Sequence, residues 1–242
     1  NPSIVTRYSS IVTRYSSILT RYSSERPPLH TLPAIFDLIR TDFERRNARR
    51  DQALARSRDL IRYCSLTIRA LHRHEWDEAT CLLEAADQAA AQMVADLADY
   101  PDLYFAGYTQ DALKELAEAH IVSALVQGQA IPAPADLHIE YPAYLNGLAE
   151  AMGELRRYIL DLIRSGRAAE SEPLLDIMDD VYSHLVTVDY PDAITAGLRR
   201  STDMVRGVLE RTRGDLTVAI RQEQMEARLT TLARQLDETR RG

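Results

Sequence analysis

The chain has 242 residues, long enough for one large domain with a sizeable core. Nine Gly and ten Pro, against abundant Ala, Leu and Arg, favour helices over a turn-rich β architecture. A net charge of −7 argues against nucleic-acid binding by overall charge, and no apolar run approaches the ~18–20 residues of a membrane span.

The distribution of charge says more than its sum. Residues 1–75 carry 14 arginines against 7 acids, a local +7; residues 76–192 carry 5 bases against 22 acids, a local −17; residues 193–242 carry 10 arginines against 7 acids, a local +3. Basic ends around an acidic middle suit a protein that grips phosphates with one region and a metal with another, or one whose arginines pair with its own acids. Lys114 is the only lysine. Cys64 and Cys81 are too few and too far apart for a zinc site or disulfide framework, and both read as reduced core residues. With no signal peptide visible, a cytoplasmic location and no membrane partner are expected.

In chain order, SIVTRYS occurs at 3–9 and 10–16, with SILTRYS at 17–23. These repeats are too short for a solenoid. Residues 1–28 are read as a repetitive tail, disordered or a duplication, and residues 29–242 as one all-α domain; the chain also lacks an initiator Met. From Leu32, apolar residues recur at helical spacing through Phe43 and again from Leu60 to Leu71, with nothing to break the chain before His74. One helix of roughly 40 residues, ~60 Å long, is expected. Its middle, ERRNARRDQ at 44–52, faces solvent, nucleic acid or another subunit. A second helix opens at Glu75-Trp76 and stops at Tyr100-Pro101. A third runs from about 101–104 to Gln127 before Gly128, and a fourth from Tyr141 to Ser165 before Gly166. A fifth covers about 168–186, a sixth 192–213, and a seventh begins at Asp215, read as an N-cap, and ends near Arg240. Seven helices and no convincing strand predict an all-α bundle.

The third helix places Leu113, Leu116, Ala117, His120 and Leu125 on one side, with Asp111, Glu115 and Glu118 opposite. The fourth repeats the scheme: Tyr141, Tyr144, Leu148, Met152, Leu155 and Ile159 form a stripe with Glu150 and Glu154 behind it. Side by side, the two helices could hold a divalent cation, or the acids could be two solvated faces. Lys114 is read as lying off the Glu115–Glu118 face, leaving their repulsion unrelieved. A di-iron site is disfavoured because no His has a Glu three residues before it. No phosphate loop, nucleophile motif, dinucleotide fingerprint or 34-residue repeat is present.

Residues 104–119 (YFAGYTQDALKELAEA), 144–157 (YLNGLAEAMGELRR) and 190–214 (YPDAITAGLRRSTDMVRGVLERTRG) resemble the translin family across nearly all of 35–225. The resemblance implies a seven-helix protein with a long N-terminal helix, assembled into a closed octamer, that binds single-stranded RNA and DNA. The family's catalytic branch, a Mg2+-dependent endoribonuclease, has an Ala-Leu-x-Glu-x-x-Glu-Ala motif, matched here by 112–119. Its Gly-x-Ala-Asp-x-x-x-Glu-Leu motif is matched by 147–155, with Glu150 in place of Asp. By that match, Glu115, Glu118 and Glu150 are the catalytic acids and, with Glu154, the ligands of Mg2+ or Mn2+. Arg45, Arg46, Arg49, Arg50, Arg156, Arg199 and Arg200 are candidate contacts to single-stranded RNA, and possibly DNA, while Tyr104, Phe105 and Tyr108 are read as core. A homo-oligomer is expected. A non-catalytic nucleic-acid-binding protein of the same fold and a helical protein-interaction scaffold remain the alternatives.

Overall fold

A computed structural model describes residues 31–241, so the expectation for the repetitive tail lies outside the described residues. Every regular element among them is helical. We number the longer ones α1 (Leu32–His72), α2 (Trp76–Asp96), α3 (Gly107–Val126), α4 (Tyr141–Arg164), α5 (Glu172–Leu185) and α6 (Leu198–Arg241). Single helical turns at Pro101–Tyr104, Pro134–Leu137, Ala168–Ser171 and Asp192–Thr195 fill the connections.

The chain divides after Arg49 into two compact units. In the first, the α1 residues Leu32, Ile35, Phe36, Ile39 and Phe43 are exposed, so their helical spacing forms an apolar face open to solvent. In the second, α1 buries Ala53, Ser57, Leu60, Cys64, Thr67 and Leu71, a three-four alternation that keeps one face towards the core. Of the two cysteines, Cys64 is in this core, but Cys81 is exposed, correcting its reading as a core residue. On α2, Ala79, Ala86, Ala90 and Met93 make the matching stripe.

The centre of the second unit is α3. It is not the two-faced helix its sequence suggested: Ala112, Leu113, Leu116, Ala117, Glu118, Ala119 and Ile121 through Leu125 are all buried, so neighbours enclose it on nearly every side. Its first turn is fastened by the Thr109 hydroxyl, which donates to Leu103 O at 2.8 Å, and by Gln110 Nε2, which donates to Tyr104 O at 2.9 Å. Both glycine stops hold. Gly128 and Gly166 adopt positive φ (67° and 72°), and the next residue's N–H reaches back to Ala124 O at 2.8 Å and Leu162 O at 3.0 Å respectively.

Helix α4 packs on α3 at unusually short range. A Cβ added to Gly147 would stand 2.6 Å from Lys114 O, 2.9 Å from Ala117 Cβ and 3.1 Å from Glu118 N. Only a residue without a side chain permits this approach. Fully buried Ala112, Ala117, Ala149 and Ala151 keep the rest of the contact shallow. On the other side of α4, α6 packs through Leu198, Val205, Leu209, Thr212 and Leu216.

The structure differs from the sequence reading at Gly214-Asp215, where one helix was expected to end and another begin. Helix α6 runs through without a break. A mid-helix glycine costs about 1 kcal/mol relative to alanine, and burial of Leu209, Thr212 and Leu216 around it outweighs that cost. Asp215 is not a cap: its Oδ2 accepts from Arg156 at 2.7 Å, and Thr212 accepts from the same arginine at 3.0 Å.

Gly147→Val is expected to destabilise the protein by on the order of 3 kcal/mol, because the added atoms meet backbone that cannot swing aside. Gly153→Ala on the same helix, where a Cβ meets nothing within 4 Å, should be neutral or stabilising by up to ~1 kcal/mol. Denaturant midpoints of the two variants check the contrast; equal effects would show that the close approach is not limiting.

Candidate metal centre

The close approach at Gly147 sets the register of the acids. Glu150 lies one turn beyond it on α4, and Glu115 and Glu118 lie one turn apart on α3, so the three carboxylates converge across the helix pair. One oxygen from each lies within 4.8 Å of the others. The sequence left open whether these acids meet or decorate two solvated faces; here they meet.

Their environments differ. Glu118 is only 8 % exposed, and its carboxyl is pushed up to about 8, by burial first and then by the negative charge of Glu115, Glu150 and Glu154. Glu115 and Glu150 are half-buried and reach the side chain of Lys114, whose Nζ is 2.5 Å from Glu150 Oε2 and 3.4 Å from Glu115 Oε1. Burial works against the ammonium, but its contacts with Glu150 and Glu115 prevail and its pKa ends above the ordinary lysine value. The sequence reading set Lys114 off the acids' face, and the structure corrects it. The side chain crosses from α3 to the acid on α4, a contact that spacing within one helix does not reveal.

Glu154 is not among the three converging carboxylates. Its Oε2 is 2.7 Å from His72 Nε2 on α1 and 3.6 Å from Arg157. The hydrogen bond to His72 is the main cause that holds the Glu154 carboxyl below its ordinary range, against its burial. Glu154 thereby ties α4 to α1 through the buried His72 ring. That pairing joins residues 82 positions apart and left no sequence signal.

Beside the cluster opens a cleft of about 630 Å³, its lining including Lys114, Glu150, Phe105, Asn146, Arg200 and Ser201. Asn146 shapes it. The buried amide donates to Pro142 O at 2.8 Å and to Thr195 O at 3.1 Å, and accepts from the Ser201 hydroxyl at 2.7 Å. It thus fixes the turn at 192–197 and the start of α6 against α4. Phe105, read from sequence as core, is instead 62 % exposed at the cleft mouth.

The candidate arginines separate clearly. Arg200 is exposed and lines the cleft. Arg199 is exposed nearby, 3.6 Å from Asp189. Arg156 donates to Thr212 and Asp215 and so joins α4 to α6. In the α1 segment, Arg45 and Arg46 both reach Asp42, at 2.6 and 2.9 Å, and Arg50 lies 3.3 Å from Asp51. Arg49 is exposed.

What the three acids can do chemically follows from their charge and donor type. Three carboxylates at this range repel unless protonated or joined by a cation, and hard oxygen donors suit Mg2+ or Mn2+. The residues fit such an ion: Glu118 is left without an ion pair among the described residues, and the Lys114 ammonium already stands in as a cation for the other two acids.

Comparison with known proteins follows the same lines. No family model matches the chain. A protein of Methanocaldococcus jannaschii, described as uncharacterized, is 32% identical over 173 residues, 71% of this chain and 76% of its own length. Among solved structures, AfC3PO is similar at TM-score 0.71 and 31% identity, both by itself and in a complex with duplex RNA. It covers 76% of this chain and 95–96% of its own. The apo form of NeC3PO, at 18% identity and TM-score 0.70, shares the fold over 81% of this chain and 99% of its own.

A pH dependence follows from Glu118. Its folded pKa of about 8 lies above the ordinary 4.5, so the fold favours the protonated carboxyl. The resulting stability is fully present below pH 4.5 and is lost as pH rises through about 8. The Tm of metal-free protein is therefore expected to fall across that window. Glu118→Gln should flatten the fall, and Mg2+ should raise Tm most at the alkaline end. A wild-type Tm with the same pH profile as Glu118→Gln would contradict this.

Proposed function

The chain belongs to the translin family, and on that premise we propose that it is an RNA-binding homo-oligomer that cleaves RNA internally by metal-dependent phosphodiester hydrolysis. The observation that carries the proposal is the convergence of Glu115, Glu118 and Glu150, at the positions of the family's catalytic motifs, within 4.8 Å of one another. The complex of AfC3PO with duplex RNA supports RNA as the ligand.

Glu115, Glu118 and Glu150 would hold the cation, Mg2+ or Mn2+. When bound, the ion supplies Lewis acidity for hydrolysis of the phosphodiester. The chain's own residues account for the rest. Gly147 sets the distance between the two helices that present the acids, and the extra methylene of Glu150, relative to the family's Asp, is accommodated where its carboxylate reaches Lys114. Arg200, at the cleft, and Arg199 beside it would bind the phosphate backbone, with Arg45, Arg46, Arg49 and Arg50 as further basic contacts along α1. The exposed Phe105 offers a ring face to a base.

The cleft bears on strandedness. The cleft of about 630 Å³ is of nucleotide size and has Glu150 in its lining, which favours a single strand there. Single-stranded RNA is accordingly the proposed substrate, and single-stranded DNA a weaker ligand. As in the family, the proposed assembly is an octamer. Exposed apolar residues, Phe36, Ile39 and Phe43 on α1 and Leu229, Leu232 and Leu236 on α6, are suited to contacts between copies.

Fluorescently labelled RNA incubated with the protein, with Mg2+ or with EDTA, tests the proposal. Internal cleavage should require the metal, and Glu118→Gln should reduce it by at least ~100-fold, the upper range of losses from outer-shell changes at metal sites, while RNA binding persists. Cleavage that survives EDTA, or equal cleavage by the variant, would sink the nuclease reading. A monomer by light scattering would contradict the oligomer.

A further inference from the structure

The one lysine of the chain stands where a cation is needed. Lys114 Nζ bridges Glu150 on α4 and Glu115 on α3, at 2.5 and 3.4 Å, so two of the three acids already share a positive charge. Its backbone carbonyl is the atom pressed closest against Gly147, so the main chain there has no freedom and only the side chain can move. That side chain also lines the adjoining cleft. There Arg200 is the other cation, facing the carboxylates of Asp111, Glu140 and Asp192 as well as Glu150.

We infer that Lys114 is a built-in counter-cation that a divalent metal must displace from Glu150, and that the displaced ammonium turns into the cleft and joins Arg200 in binding the RNA phosphate. The inference rests on the metal-site reading above. An ammonium and a divalent ion drawing on the same carboxylate repel, so a metal on Glu150 weakens its hold on Lys114 and favours release of the side chain. Lys114 already lines the cleft, and its stem has four rotatable bonds with which to turn further into it. The second half follows from the cleft's charges. With Lys114 held on Glu150, its charge at the cleft is offset by that carboxylate, and a phosphate meets Arg200 among several carboxylates. With Lys114 released, it meets two cations. Metal and RNA then favour each other's binding, and the coupling is reciprocal. Lys114 is thus a residue that trades metal affinity for substrate affinity.

The test uses the full chain and two readouts. Mn2+ alone, titrated without RNA and followed by electron paramagnetic resonance, should bind Lys114→Met about tenfold more tightly than wild type, equivalent to ~1.4 kcal/mol. Lys114→Arg, which keeps the charge, should remain near wild type. Single-stranded RNA at saturating Mn2+, followed by stopped-flow anisotropy before cleavage proceeds, should bind Lys114→Met several-fold more weakly. A purely structural lysine would move both affinities down together. Mn2+ binding by Lys114→Met that is equal to or weaker than wild type overturns the displacement, and undiminished RNA affinity overturns the role in the cleft. Both shifts in a protein that leaves RNA uncut would sink the nuclease reading and uphold this one; no Mn2+ bound by either protein would sink both.

Discussion

Backbone contact between α3 and α4 at Gly147 is the constraint on which the site depends. With Lys114 O only 2.6 Å from where a Cβ would stand, the two helices are closer there than side chains allow. That proximity brings Glu150 within reach of Glu115 and Glu118, and it buries Glu118 between helices. The electrostatics follow. A buried carboxylate near two others cannot hold its charge cheaply, so Glu118 titrates near 8 and the neighbouring ammonium is drawn across to Glu150. A helix pair packed one side-chain layer further apart would place the same acids in water, and nothing about them would call for a cation.

Several long-range polar contacts hold that geometry. Asn146 links α4 to the turn before α6, Arg156 links α4 to α6 itself, and the Glu154–His72 pair links α4 to α1. Further out, Arg56 and Gln52 of α1 both reach Asp96 of α2, and His120 of α3 meets Asp87 of α2 at 2.7 Å. The Arg56–Asp96 and His72–Glu154 pairs are partly buried and charge-assisted, the class in which losing one partner costs most. These contacts also offset part of the negative charge in the acidic middle of the chain. Many of its carboxylates are already assigned to an arginine, lysine or histidine. Arg156 and Glu154 both take part in this framework.

Legibility in the sequence followed physical range. The 41-residue span of α1 was readable because its apolar residues keep helical spacing and no Pro or Gly interrupts it before His74. The ends of α3 and α4 were readable because Gly128 and Gly166 take the positive φ that only glycine accepts freely. The continuity of α6 through Gly214 was not, since a glycine followed by a capping residue marks a break locally and only tertiary burial of Leu209 and Leu216 overrides it. The three acids could be named from motif positions, but the burial of Glu118 could not. Assigning one apolar and one solvated face to α3 presumes a surface helix, and α3 is enclosed. Lys114 was misplaced and His72 missed because each reaches an acid on a helix distant in sequence, through contacts that periodicity within a single helix does not encode.

The central claim is that the Gly147 contact assembles Glu115, Glu118 and Glu150 into one divalent-cation site. Crystals of the protein grown with Mn2+, with anomalous data collected at the manganese edge, test it most directly. The account predicts a manganese peak bounded by oxygens of those three glutamates, with the Lys114 side chain moved off Glu150. Manganese absent from that position, with Lys114 still seated on Glu150 at saturating metal, would contradict it.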